Sequence, residues 1–158
     1  MKIIFLILYN FLILPIIFFS FIIAPFNRKL KEGIIGRFES LKNLKKFDSS
    51  AFNKKYWFHV ASHGEFQQVE TLINSFKKNN NNIGVVVSFF SPSGFNNVDN
   101  QNIDCKVYLP FDFPFTISRA LKIVNPDKIF FTSNDFWPNF LYLSYLKKIE
   151  LILTSARL

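Results

Sequence analysis

Apolar positions fall along this chain in three rhythms. Across residues 3–26 they run almost unbroken, IIFLILYNFLILPIIFFSFIIAPF, with no charged residue. Across residues 27–55 they thin out among charges, and from residue 56 onward short apolar runs alternate with amphipathic ones. The first rhythm is long enough to cross a bilayer, which takes about 20 apolar residues. Asn10 and Pro15 interrupt it, and proline is tolerated in such helices. Its only preceding charge is Lys2. The apolar core is longer than that of a secretory signal peptide, so an uncleaved anchor over residues 1–26 is expected. A helix lying in the membrane interface is the alternative, but the segment shows no polar face of its own.

The third rhythm predicts alternating strands and helices. YWFHVAS (56–62) reads as a strand. Val69, Leu72, Ile73 and Phe76 then repeat at helical spacing. NNNN (79–82) is a turn, IGVVVSFF (83–90) a fully buried strand, and SPSG (91–94) a break. CKVYLP (105–110) is a third strand, followed by a helix marked by Ile117, Ala120, Leu121 and Val124. DKIFFTS (127–133) is a fourth strand, and WPNFLYLSYLKK (137–148) a helix with Pro138 in its first turn. IELILTS (149–155) is a fifth strand. This order implies an α/β, Rossmann-like domain over residues 56–158 with a parallel sheet. Ligands of such sheets bind beyond the carboxyl ends of the strands. Three loops share that edge by topology: His63-Gly64-Glu65, Ser91-Pro92-Ser93-Gly94 and Ser133-Asn134-Asp135.

Charge adds a partner to this picture. The formal net charge is +8, and residues 27–55 hold nine Lys/Arg against Glu32, Glu39 and Asp48. A basic segment after an apolar run faces anionic headgroups and places the following chain on the cytoplasmic side. A solvated basic linker is the plainer reading. The 22 Phe, with abundant Ile, Asn and Lys, suggest an AT-rich coding sequence more than a folding need. The lone Cys105 excludes a disulfide framework within one chain. No metal-ligand spacing, P-loop or GxGxxG is present, so no cofactor is expected. The basic region lacks interleaved aromatics, so no nucleic-acid partner is expected.

Glu65 ends the first strand where a helix begins. There a carboxylate is stabilised by free amides and the helix dipole, by about 0.3–1 kcal/mol. It reads equally as a helix cap and as a general base, with Gly64 allowing a substrate close to the backbone. His59 reads as a core histidine, and Asp112 as a cap for the helix that follows it.

Five motifs occur in an order that resembles the N-terminal domain of the Kdo transferases, which add 3-deoxy-D-manno-octulosonic acid to the lipid A precursor. They are WFHVASHGEFQQVETLI (57–73), SFFSPSG (88–94), YLPFDFP (108–114), NDFWPNF (134–140) and LTSARL (153–158). The resemblance implies the N-terminal half of a glycosyltransferase B fold behind a membrane helix in the inner membrane. It places the family's catalytic base on Glu65, which would deprotonate the acceptor hydroxyl attacking CMP-Kdo, with inversion and without metal. Ser62, Gly64, Ser91, Ser93, Gly94, Asp135 and Arg157 fall on substrate-binding positions. Asp135 takes the second acid of the family's Glu-Thr-Glu, whereas Ser133 replaces the first. The implied partners are CMP-Kdo, the lipid A precursor and inner-membrane lipids. The family's donor-binding C-terminal domain has no counterpart in the 158 residues. The chain is therefore expected to be inactive alone: a fragment, a truncated gene product, or half of a split enzyme with a separate donor-binding chain. The rival reading is a non-catalytic membrane-bound module that binds lipid or a partner.

Overall fold

A computed structural model describes residues 2–132 and 136–154. Within them, five strands form one parallel sheet: β1 (Lys54–Val60), β2 (Ile83–Phe89), β3 (Cys105–Tyr108), β4 (Lys128–Thr132) and β5 (Glu150–Thr154). Their spatial order is β3-β2-β1-β4-β5. The chain winds outward from β1 to β3, then crosses back to β4 on the other side of β1. The direction of winding therefore reverses between β1 and β4, where open α/β sheets hold their ligands.

The inner strands β1, β2 and β4 are buried along nearly their whole length because both faces are covered. Alternate side chains of β1 point to opposite sides. Tyr56, Phe58 and Val60 pack with Phe66, Val69 and Ile73 of α3 (His63–Asn79). Trp57 packs with Ile117 and Leu121 of α5 (Pro114–Val124) and Phe140 of α6 (Pro138–Leu146). Phenylalanine fills both layers. Phe58 stacks on Phe130 with centroids 4.4 Å apart, and Phe140 lies 4.9 Å from the Trp57 ring. Each such ring contributes about 1.5–3 kcal/mol by burial, so these phenylalanines serve the fold whatever the codon bias behind them.

Two helices were not legible as such. α4 (Pro92–Asn97) occupies the predicted break after β2. α2 (Arg28–Leu44) occupies the basic stretch. Its charges mask a narrow buried stripe of Gly33, Ile34, Ser40 and Leu44, which packs against β3 and α5. Asn27 caps it, accepting a hydrogen bond from the Leu30 N–H at 3.0 Å. Arg28, Lys29, Lys31 and Lys42 stay exposed. The apolar run forms α1 (Lys2–Ile23), joined to α2 by a 3-10 turn, Ala24–Phe26.

Gly36 sets the approach of α2 to the sheet. A Cβ there would lie 2.1 Å from Tyr108 Cδ2. The Tyr108 ring cannot step aside, because it stacks on Phe95 at 4.3 Å and its hydroxyl reaches Glu32 at 3.2 Å. Gly36→Ala is expected to cost about 1–3 kcal/mol through overpacking, read as a lowered thermal midpoint. An unchanged midpoint would contradict this docking of α2.

Candidate functional site

The turn from β1 into α3 carries the first group of edge residues. Ser62 is the N-cap of α3, and its Oγ accepts from the Glu65 N–H at 3.4 Å. Glu65 reaches back, its Oε2 accepting from the Ala61 N–H at 2.6 Å. This is a variant of the reciprocal capping box, in which a Ser and a Glu three residues apart satisfy free amides. Glu65 is half-buried, and no other described residue bonds to its carboxylate. The clamp leaves Oε1 available while fixing the orientation of the group. Apart from its chain neighbours and its own helix backbone, nothing lies within 4 Å of a Cβ placed on Gly64, so the residue before Glu65 faces open space. His63 is half-buried at the first helical position, and its Nδ1 is buried without a partner.

The second loop is tied to the first. The Phe90 and Ser91 N–H groups donate to the Val60 and Ala61 carbonyls at 3.1 and 3.0 Å. A Cβ on Gly94 would lie 3.1 Å from the Ser62 carbonyl carbon and 2.6 Å from the Phe89 ring, so only glycine lets α4 sit this close. Ser91 caps α4 through the Gly94 N–H at 3.4 Å, and the Ser91 and Ser93 hydroxyls bond each other at 2.9 Å. These polar groups therefore serve one another.

An aromatic shelf lies alongside. The Arg37 guanidinium stacks on Phe90 at 4.4 Å and donates to the Phe90 carbonyl at 2.8 Å. Phe90 lies 5.1 Å from Trp137. The Trp137 indole N–H donates to His59 Nε2 at 2.8 Å. An indole can only donate, so His59 Nε2 carries no proton and Nδ1–H points to Ser88, whose Oγ lies 3.0 Å away. Ser88 Oγ also accepts from the Trp57 indole at 2.8 Å. His59 is thus a fully engaged interior histidine.

Asp112 closes the arrangement. It is buried, and it caps α6 rather than the helix that follows it. Its Oδ2 accepts from the Asn139 N–H at 3.0 Å and its Oδ1 from the Phe140 N–H at 2.9 Å. Sequence proximity pointed to α5, but the N-cap position of α5 is Phe113, one residue past Asp112, and the Asp112 carboxylate turns instead to the start of α6, whose own N-cap Trp137 offers no side-chain acceptor. Asn139 returns a bond to the Asp112 carbonyl. Tyr9 of α1 donates to Asp112 Oδ2 at 2.9 Å, and Asn10 exchanges bonds with the Asn139 side chain at 3.0 and 3.2 Å. Burial pushes the Asp112 carboxyl above its ordinary range, against the pull of its Asn139, Tyr9 and Phe140 donors.

The described edge thus gathers Ser62, Gly64, Glu65, Ser91, Ser93 and Gly94 on two bonded loops. Asp135 and Arg157, with Ser133 and Asn134, lie outside the described residues. Arg37 was not legible as an edge residue, because nothing in the sequence marks α2 as part of the domain. Tyr9 and Asn10 were legible only as interruptions of an apolar run. Cys105, buried at the start of β3, has its thiol pushed up to about 11 by burial and the nearby Asp104.

Three substitutions separate structure from chemistry here. Asp112→Ala is expected to cost about 1–3 kcal/mol, because the α6 amides lose their acceptor. Gly94→Ala is expected to cost a similar amount by overpacking. Gly64→Ala should leave the thermal midpoint unchanged or slightly raised, since alanine favours a helix. A Gly64→Ala variant as unstable as Gly94→Ala would contradict the open space beside Glu65.

Residues 33–158 match the family described as 3-Deoxy-D-manno-octulosonic-acid transferase (kdotransferase). The 3-deoxy-D-manno-octulosonic acid transferase of Haemophilus influenzae is 28% identical over 104 residues, 65% of this chain and 24% of the relative. The transferase of the same description from Aquifex aeolicus is 27% identical over 113 residues, 70% of this chain and 29% of the relative. The matched region thus spans about a quarter of each relative's length. With a family match over most of its residues, the chain belongs to the 3-deoxy-D-manno-octulosonic-acid transferase family.

Proposed function

We propose that this chain is the acceptor-side half of a Kdo transferase, with Glu65 as the general base. The observation that carries the proposal is the placement of Glu65. It stands at the winding reversal of the sheet, at the N-terminus of α3, with one oxygen clamped by Ala61 and open space at Gly64. Family membership supplies the reaction class.

In the proposed reaction a hydroxyl of the lipid A precursor approaches over Gly64. Glu65 takes its proton as the oxygen attacks the anomeric carbon of CMP-Kdo. The bond from that carbon to the CMP phosphate oxygen breaks on the opposite side, CMP leaves with the electron pair, and the centre inverts. Glu65 then returns the proton to solvent. The Ala61 N–H holds Oε2 and so fixes the orientation of the carboxylate toward the acceptor. The donor is held by a second unit facing this edge, in the same polypeptide or in a partner chain. Arg37 and the exposed cations of α2 add an attractive field for a phosphorylated acceptor.

A second reading keeps Glu65 as a helix cap only and the chain as a membrane-bound binding module. The cap geometry itself favours it. Glu65→Gln discriminates, because a glutamine oxygen still accepts from Ala61 but cannot take the proton. Measured in the protein together with its donor-binding unit, Glu65→Gln is expected to lower kcat by about 10²–10⁴-fold at an unchanged thermal midpoint. Activity within a few-fold of the parent would overturn the base assignment and leave the cap.

A further inference from the structure

We infer that α1 lies in the plane of the membrane rather than across it, seated by its outer face on an anionic bilayer. The sequence argued against an in-plane helix because α1 has no polar face. The structure supplies what was missing: the rest of the protein covers the face that lipid does not.

The covered face is one stripe. Leu6, Tyr9, Asn10, Ile13, Ile17 and Ser20 are half-buried, Ala24 just beyond is buried, and the other described side chains of α1 are exposed. These positions follow the three-and-four spacing of a single helix face. The stripe extends about 27 Å at 1.5 Å per residue, close to the whole hydrocarbon thickness of about 30 Å. Contacts hold it at both ends. Tyr9 and Asn10 bond Asp112 and Asn139 near the start, while Phe21 meets Phe38 and Phe111 near the end, with centroids 5.8 and 6.4 Å apart. A helix fastened along this length does not project from the domain. If it crossed a bilayer, it would carry α6, Asp112 and the charged α2 into the hydrocarbon with it, where charges are costly.

The outward side fits a lipid surface. Phe5, Phe11, Phe18 and Phe19 are more than half exposed, and Phe38 of α2 (64%) and Phe115 of α5 (71%) extend the apolar area beyond α1. Arg28, Lys29 and Lys31 follow directly at the exposed start of α2, and Arg119 sits over Phe115 at 5.3 Å. An apolar strip bordered by cations matches acyl chains below anionic headgroups. Pro114 and Pro138, the first residues of α5 and α6, lie at the same sheet edge as Glu65. The seat therefore holds that edge at headgroup level. The inference rests on the packing of α1 and not on the transferase reading.

Depth measurements test it. The chain carries Cys105→Ala, so that the introduced thiol is the only one, and is reconstituted in phosphatidylcholine–phosphatidylglycerol vesicles. Ile4→Cys, Leu12→Cys and Phe19→Cys, all on the outer face, are labelled with bimane and quenched by lipids spin-labelled at known depths. An in-plane helix gives three depths within about 5 Å, one helical turn. A spanning helix puts Leu12→Cys about 10–12 Å deeper than the other two and overturns the inference. Absence of lipid quenching at all three, with thiol cross-links between copies, would assign the face to a second copy and overturn it equally.

Discussion

One buried carboxylate fixes how the parts of this protein meet. Asp112 leaves β3, accepts two amides at the start of α6 and takes the Tyr9 hydroxyl of α1. Burying an unpaired carboxylate is costly, and the three donors offset that cost only in this arrangement. The start of α6 in turn carries Trp137, which pins His59 and, through Ser88, Trp57. The edge of the sheet, the end of β1 and the apolar helix thus meet through two hydrogen-bonded clusters joined by the backbone of residues 137–139, within an otherwise apolar, Phe-rich interior.

Glu65 depends on that frame from its rim. Capping and catalysis are often posed as rival explanations for an acid at a helix start. Here the geometry makes them compatible, because the cap uses Oε2 and leaves Oε1 without a described partner. A group held by a backbone amide needs no reorganisation before it acts, which would suit the base proposed here. Gly94 and Gly64 divide the labour around it. Gly94 lets the second loop touch the first, and Gly64 leaves space where a substrate would come.

Much of the fold was legible because the apolar rhythm switches cleanly between buried strands and amphipathic helices. Parallel strands covered on both faces read as continuous apolar runs, as IGVVVSFF does. α2 was missed because its buried stripe is four residues wide in a field of charge, and a stripe that narrow does not outweigh the five cations of that helix. α4 was hidden by Pro92 and Gly94, which read as a break although Pro at a helix start is favourable. Glu65 stood out because it sits where the first apolar strand gives way to a helix. The target of the Asp112 cap was not legible, because the carboxylate and the amides it satisfies are far apart in sequence and meet only once the sheet is wound. The motifs around Trp57, Asp112 and Trp137-Pro138-Asn139 turn out to be the interior scaffold, with Ser62, Gly64 and Glu65 as the part that faces outward.

The central claim is that an acceptor hydroxyl is delivered to Glu65 at this edge. The most direct measurement is a structure of the protein, with its donor-binding unit, bound to the lipid A precursor. The expected result is an acceptor hydroxyl about 2.6–3.2 Å from the Glu65 carboxylate, with Ala61 still holding the other oxygen. An acceptor bound with its reacting hydroxyl beyond the reach of Glu65, on another element or another face, would contradict it.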